Sequence, residues 1–452
     1  MARLIESLAT TDPLAELFSD QSVLQALLDF EVALARAEAR VGIVPHSAAE
    51  NIAAAANVKA FDIAALSHDM LRAGTVGVPL AKALEERVRE KDAEAARYVH
   101  WGATSQDVAD TALVLLLKRA QPIIGGDISR LEEELRKLSD NHKNTVMLGR
   151  TLMQGAPPIT FGLKVAGWLG AVHRCKERLD SSFTAGLILQ FGGASGTLAS
   201  LGDKGAAVAA ELAKELGLAC PGAPWHTHRD RLANLLCDCA VLTGSLGKIA
   251  RDISLLMQNE VAEVSEAGGQ GRGGSSTMPQ KRNPIGSALT LAAAQRVPGE
   301  IAAFLSAMVQ EHERGVGGWQ AEWPIVASVI QSTGLAAASM AEVVEGLTVD
   351  AARMRTNIDA TRGAVFAERA MLLLAPKMGR DVAHKTVEEA TRKSVAEGKH
   401  LSEVLAEMPG VTSHIERSVL RQLETPEQYL GSAEIFREAL VSSARGNPKQ
   451  EK

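Results

Sequence analysis

Residues 274–284 read Gly274-Ser275-Ser276-Thr277-Met278-Pro279-Gln280-Lys281-Arg282-Asn283-Pro284, directly behind the stretch Gly268-Gly269-Gln270-Gly271-Arg272-Gly273. Hydroxyls, a cation and a carboxamide therefore stand on a glycine-rich segment whose backbone can adopt conformations closed to other residues. Such a loop can fold over a small anion and deliver a serine hydroxyl to it. Lys281 and Asn283 place positive charge and a donor where negative charge would develop. Asn283 followed by Pro284 also has the N-cap and N1 pattern of a helix, whose positive end would point to the same place. A phosphate-binding loop is excluded, because no Gly-Lys-Ser/Thr ending and no preceding strand accompany the glycines.

Two further segments are rich in side chains that bind anions. In Val99-His100-Trp101-Gly102-Ala103-Thr104-Ser105-Gln106-Asp107, Thr104 and Ser105 come just before an expected helix. Hydroxyls and free backbone N–H groups there can hold a carboxylate, or Ser105 and its neighbours can cap the helix. His100 beside them is either part of a site or a structural histidine. The other segment is Gly149-Arg150-Thr151-Leu152-Met153-Gln154-Gly155-Ala156-Pro157-Pro158. Arg150, Arg229 and Arg314 are candidate cations for an anionic substrate and equally candidates for internal ion pairs. His226 and His228 lie two apart with no third or fourth ligand in view, so no metal site is expected.

The elements that must position these groups read as helices. Hydrophobic residues make up 46% of the 452-residue chain and aromatics only 4%; Ala and Leu dominate, which favours helix over strand. Leu24, Leu27, Leu28 and Leu34 form one face behind an Asp20 cap, and a helix from about Asp107 leads to a break at Gly125-Gly126. Three periodic runs, from about Pro158 to Leu187, Asp230 to Glu266 and Pro284 to Glu313, are longer than ordinary globular helices and suggest a bundle, with Pro298 bending or interrupting the last. Beyond about Asp350 the segments shorten. The net charge of −6 comes from interspersed acids and bases, so neither nucleic acid nor a membrane surface is an expected partner. No apolar stretch reads as long enough to span a bilayer, and no signal peptide is evident. Cys175, Cys220, Cys237 and Cys239 read as reduced thiols of a cytoplasmic protein.

The three segments resemble the signature regions of the fumarase/aspartase superfamily, whose members break or form a C–X bond β to a carboxylate. That resemblance implies an all-α fold of three helical domains (1–106, 107–349 with the catalytic loop, and 350–452). It also implies a homotetramer built through the central bundle, with each site shared between chains. Ser275 would be the catalytic residue. His100, Thr104, Ser105, Thr151, Gln154, Ser276, Lys281 and Asn283 would bind substrate, with no cofactor and no metal.

Two departures from the family pattern narrow the chemistry. The histidine of Gly-Arg-Thr-His is Leu152 here, and the glutamate expected after Asn-Pro-x-x-x is Ala288. In the lyase relatives this pair assists the departing group. Hydroxide is a poor leaving group, with water at a pKa of about 15.7, whereas a carboxylate, whose acid has a pKa of about 4, leaves unaided. Acid catalysis contributes about 10²–10⁴-fold, so losing both halves is tolerable where X is itself a carboxylate. The branch of bacterial 3-carboxy-cis,cis-muconate cycloisomerases is similar in this respect. Its resemblance extends to Phe191-Gly192-Gly193-Ala194-Ser195-Gly196 and to Trp319 and Trp323. The expected reaction is conversion of 3-carboxy-cis,cis-muconate to 4-carboxymuconolactone, as in the protocatechuate branch of aromatic degradation. An adenylosuccinate-type C–N lyase, a 3-sulfomuconate cycloisomerase and a non-catalytic scaffold of the same fold are the alternatives.

Overall fold

The computed structural model describes residues 4–268, 273–274, 278 and 281–445. Six helices carry most of the argument: α1 Asp20–Arg40, α2 Ser105–Asn141, α3 Phe161–Gly186, α4 Asp230–Leu256, α5 Ile285–Ala307 and α6 Gly318–Glu345. Two antiparallel ladders accompany them, β1 Val146–Thr151 with β2 Gln154–Thr160, and β3 Val264–Ser265 with β4 Thr348–Val349. The architecture is all-α.

Several boundaries differ from expectation. Ser19, not Asp20, caps α1, its Oγ accepting the Ser22 N–H at 3.3 Å. Helix α2 does not break at Gly125-Gly126. Ile124, Ile128, Leu131 and Leu135 follow one another at helical spacing and are buried. Their burial outweighs the roughly 1 kcal/mol that each glycine costs a helix. Helix α5 likewise runs through Pro298 without interruption. The run expected from Pro158 begins as strand and turns helical only at Phe161. The run from Asp230 stops at Leu256, ahead of the buried Glu263 and Glu266.

The chain divides into two compact units, residues 1–129, 174–247 and 289–339, and residues 130–173, 248–288 and 340–452. In the first, α1 packs on Gly205–Leu216, and Arg40 pairs with Glu211 (2.7 Å) and Glu215 (2.9 Å). In the second, Val146 and Leu148 of β1 enter a core with Ile358, Phe366, Leu374, Val387 and Leu405. At the register shift between Leu148 and Gly149, a Cβ on Gly149 would lie 2.5 Å from the Pro157 carbonyl oxygen, so only glycine fits.

Helices α4 and α6 contain windows of mean hydropathy 1.3 and are long enough to cross a bilayer, which corrects the expectation that no stretch would be. Those windows are 56% and 67% buried inside the protein. Helices packed on most faces are apolar nearly all round, so length and composition alone do not distinguish them from spans.

Candidate functional site

In the first unit, His100, Thr104 and Ser105 lie together ahead of and at the start of α2. His100 has φ 57°, a left-handed conformation that costs a residue with a side chain about 1–3 kcal/mol. Its Nδ1 lies 2.6 Å from Oε1 of the buried Glu31 on α1. Burial works against the charged imidazole, yet the charge and hydrogen bond of Glu31, with Asp107 behind, prevail and raise its pKa. Ser105 is pressed closely by the preceding segment: a Cβ on Gly77 would lie 2.5 Å from its Cα.

The helix start is held by Asp107 rather than by a hydroxyl. Asp107 Oδ2 accepts the Thr104 N–H (3.1 Å) and the Gly193 N–H (2.9 Å). Its Oδ1 accepts Gln190 Nε2 and the Gly192 N–H (both 3.0 Å) and lies 2.8 Å from His226 Nε2. His226 is thereby committed to Asp107. The Phe-Gly-Gly run acquires a purpose too: a Cβ on Gly192 would meet Pro224 at 2.6 Å, so glycine is what lets its amide reach Asp107.

Glu31 also acts on a second carboxyl of its own helix. Glu38, seven residues after Glu31 on α1, is fully buried, and neither of its oxygens has a hydrogen-bond partner among the described residues. Burial, then the charge of Glu31, push its pKa from 4.5 up to about 9. Between those values the fold holds a proton that the unfolded chain has released. The stability Glu38 contributes is therefore complete below about pH 4.5 and lost as pH rises through about 9. Glu38→Gln, which fixes the neutral form, is expected to gain thermal stability over the wild type progressively from pH 5 to pH 9. Calorimetric scans across that range check this, and a pH-independent difference would mean that Glu38 does not titrate there.

Of the three arginines, two are internal ion-pair partners. Arg229 is buried between Asp110 (Nη1–Oδ2 2.7 Å) and Glu322 (Nη2–Oε2 2.6 Å), with its guanidinium 4.7 Å from the Trp225 ring centroid. Trp319 Nε1 donates to Asp110 (3.1 Å) and Gln310 Nε2 to Glu322 (2.8 Å). Arg314 donates to the Ala194 carbonyl at 3.1 Å. In the second unit, Arg150 grips the buried Glu263 through both terminal nitrogens (2.9 and 2.7 Å), and Asn357 Nδ2 also donates to Glu263 (2.7 Å).

That clamp anchors the β1–β2 hairpin. Thr151 and Gln154 are register partners at its exposed end. The turn between them is Leu152-Met153, both left-handed (φ 50° and 67°), and these apolar side chains are 96% and 70% exposed. The position of the missing histidine is therefore a projecting tip. Ala288, the position of the missing glutamate, is exposed on α5.

The limbs of the glycine-rich loop are tied at their base. Gly273 O accepts the Asn283 N–H at 2.9 Å, and the Lys281 N–H donates to Met278 O at 3.0 Å. Glu266 accepts the N–H groups of Gly286 (3.1 Å) and Ser287 (3.0 Å) and the Ser287 hydroxyl (2.6 Å). Two expectations change here. Helix α5 starts at Ile285, with Pro284 rather than Asn283 preceding it, and its positive end is answered by Glu266 from within the chain. Ser275 and Ser276 lie outside the described residues. Sequence reasoning missed Glu31, Glu38 and Glu266. For the first two a signal existed, since both fall on the otherwise apolar stripe of Leu24, Leu27 and Leu28.

A sequence profile described as "Lyase" matches residues 6–299, and one described as "Adenylosuccinate lyase C-terminus" matches residues 363–439. A 3-carboxy-cis,cis-muconate cycloisomerase of Bradyrhizobium diazoefficiens is 49% identical over 424 residues, 94% of each chain. One of Pseudomonas aeruginosa is 47% identical over 97% of this chain and 96% of its own. The crystal structure of the 3-carboxy-cis,cis-muconate lactonizing enzyme from Pseudomonas putida superimposes with a TM-score of 0.93 at 44% identity, covering 98% of this chain and 99% of that one.

Proposed function

Since this chain belongs to the fumarase/aspartase superfamily of lyases, we propose that it is an intramolecular lyase converting 3-carboxy-cis,cis-muconate to 4-carboxymuconolactone. The observation that carries the reading is near-half identity to cycloisomerases along almost the whole chain. The chemistry agrees with it: Leu152 and Ala288 leave no proton relay for the C–X leaving group, and a carboxylate needs none.

In the lactonising direction one carboxylate of the triacid adds to the conjugated double bond, forming C–O, and the adjacent carbon gains a proton. Nothing leaves, so atoms balance as an isomerisation. Holding the chain folded on itself supplies rate by proximity. Ser275 donates the proton in this direction and recovers one from solvent. Protonation of carbon passes close to an enolised carboxylate, whose extra charge Lys281 and Asn283 stabilise. Thr104, Ser105, Thr151, Gln154 and Ser276 hold the other oxygens. The nucleophile is already ionised, so the reaction asks for neither metal nor cofactor.

The same reading includes a cytoplasmic homotetramer with sites assembled from several chains and with domain limits near 106 and 349. The exposed Leu152-Met153 tip supports it, as does the exposed face of α5 bearing Ala288, Ala292, Ala302 and Ala303. Small side chains of this kind let a partner helix approach closely.

The test is ultraviolet absorbance of 3-carboxy-cis,cis-muconate with purified protein, with adenylosuccinate in parallel. Loss of the diene band with lactone formation is the expected result. Cleavage of adenylosuccinate alone would make the chain a C–N lyase without its histidine. Silence on both would turn the assay to 3-sulfomuconate.

A further inference from the structure

Glu31 has no part in the motif chemistry, yet it is the residue to which His100 is bound. It sits on α1, 69 residues away in sequence, 2% exposed, with Oε1 on His100 Nδ1 and Oε2 without a partner among the described residues. His100 meets it with the left-handed backbone that Gly102 shares (φ 71°), and Leu201 packs so closely on this turn that a Cβ on Gly102 would lie 2.6 Å from its Cδ2. A non-glycine residue kept in that conformation points to a requirement on its side chain.

The surrounding charges define what the imidazole is. Two carboxyls act on it, Glu31 and Asp107. Asp107 is engaged by five donors, none of them His100. Glu38 is buried beside Glu31 and, being carried neutral, brings no competing charge. Among the described residues Glu31 alone bonds the ring, and a buried carboxylate with one oxygen lacking a partner there is best compensated by a full positive charge. His226, the other histidine nearby, is bound to Asp107. The Nε2 side of His100 has no hydrogen-bond partner among the described residues, and the hydroxyls of Thr104 and Ser105 follow within five positions.

We propose that Glu31 is the positioning residue of His100. It fixes Nδ1–H inward and turns Nε2–H toward the ligand, making His100 a cationic anchor for one substrate carboxylate rather than a general base. This rests on His100 lining the site proposed above. The two roles have opposite pH signatures: a cationic anchor loses kcat/KM as pH rises through its pKa, whereas a base would gain it.

The experiment compares wild type, Glu31→Gln and His100→Ala in the full chain, with two readouts. One is the pH profile of KM and kcat for 3-carboxy-cis,cis-muconate. The other is calorimetric binding of tricarballylate, a triacid with no double bond to react. In the wild type, tricarballylate is expected to bind more tightly at pH 6 than at pH 8.5. Glu31→Gln is expected to raise KM and the tricarballylate Kd about 10–100-fold, the scale of a lost charged hydrogen bond, with kcat changed far less. It should also move the alkaline limb to lower pH. A Glu31 that merely supported the fold would lower thermal stability and active fraction without moving that limb, which overturns the proposal. So does wild-type binding that is absent or independent of pH. If His100→Ala binds normally, His100 does not line the site. If the wild type makes no lactone but its pH-dependent tricarballylate binding still requires Glu31, the substrate reading fails and the anchor stands.

Discussion

Ser275→Ala is expected to lower kcat for lactone formation by about 10³-fold or more while leaving KM within a few fold and the thermal unfolding profile unchanged. In the proposed mechanism the serine acts only where a proton moves to carbon, so its loss would remove stabilisation from the transition state and not from bound substrate. The fold has no reason to respond. The segments on either side of Ser275 are held by the Asn283–Gly273 hydrogen bond and by the Glu266 carboxylate on Gly286 and Ser287. Steady-state kinetics on protein matched for helical content decide the matter. A variant keeping more than a tenth of wild-type kcat would move the proton-donor role to another residue.

Arg229→Met is expected to have the opposite signature, a collapse of stability before any effect on chemistry. The substitution preserves much of the volume but strands Asp110 and Glu322, both fully buried, without their shared cation. Breaking a buried pair in this way costs about 3–5 kcal/mol. For a chain of this length that corresponds to a fall of about 3–5 °C in the unfolding transition. Burial already raises the pKa of Glu322 against the pull of Arg229. Without the arginine it should protonate more readily still, so the deficit should shrink on acidification from pH 7.5 to pH 5. Scanning calorimetry at both values checks the size and the trend. An unchanged transition with a raised KM would instead make Arg229 a substrate-binding cation.

Much of the chain was legible in one dimension. The long helices followed from spacing, because apolar residues three and four apart can be buried only on one helix face. Their ends were less legible. Gly125-Gly126 and Pro298 are local signals for interruption, and the packing of Ile124, Ile128 and Leu131 overrode the first. Helix α5 started one residue later than Asn283-Pro284 suggested, since Glu266, twenty residues upstream in sequence, holds its first amides.

What the sequence by itself determined was the reaction class and the grouping of its candidate residues: Ser275, Lys281 and Asn283 behind a run of glycines, hydroxyls at Thr104 and Ser105, and apolar residues at Leu152 and Ala288. Such features are carried by residue type within short segments, where order along the chain is order in space. Only the tertiary structure decided which charged groups are instruments and which are supports. Arg150 and Arg229 proved to be clamped by Glu263 and by Asp110 with Glu322, partners 113, 119 and 93 residues away. His226 was claimed by Asp107, 119 residues away, and His100 by Glu31. A buried charge must be neutralised or satisfied where it lies, and the group that does so is chosen by the fold.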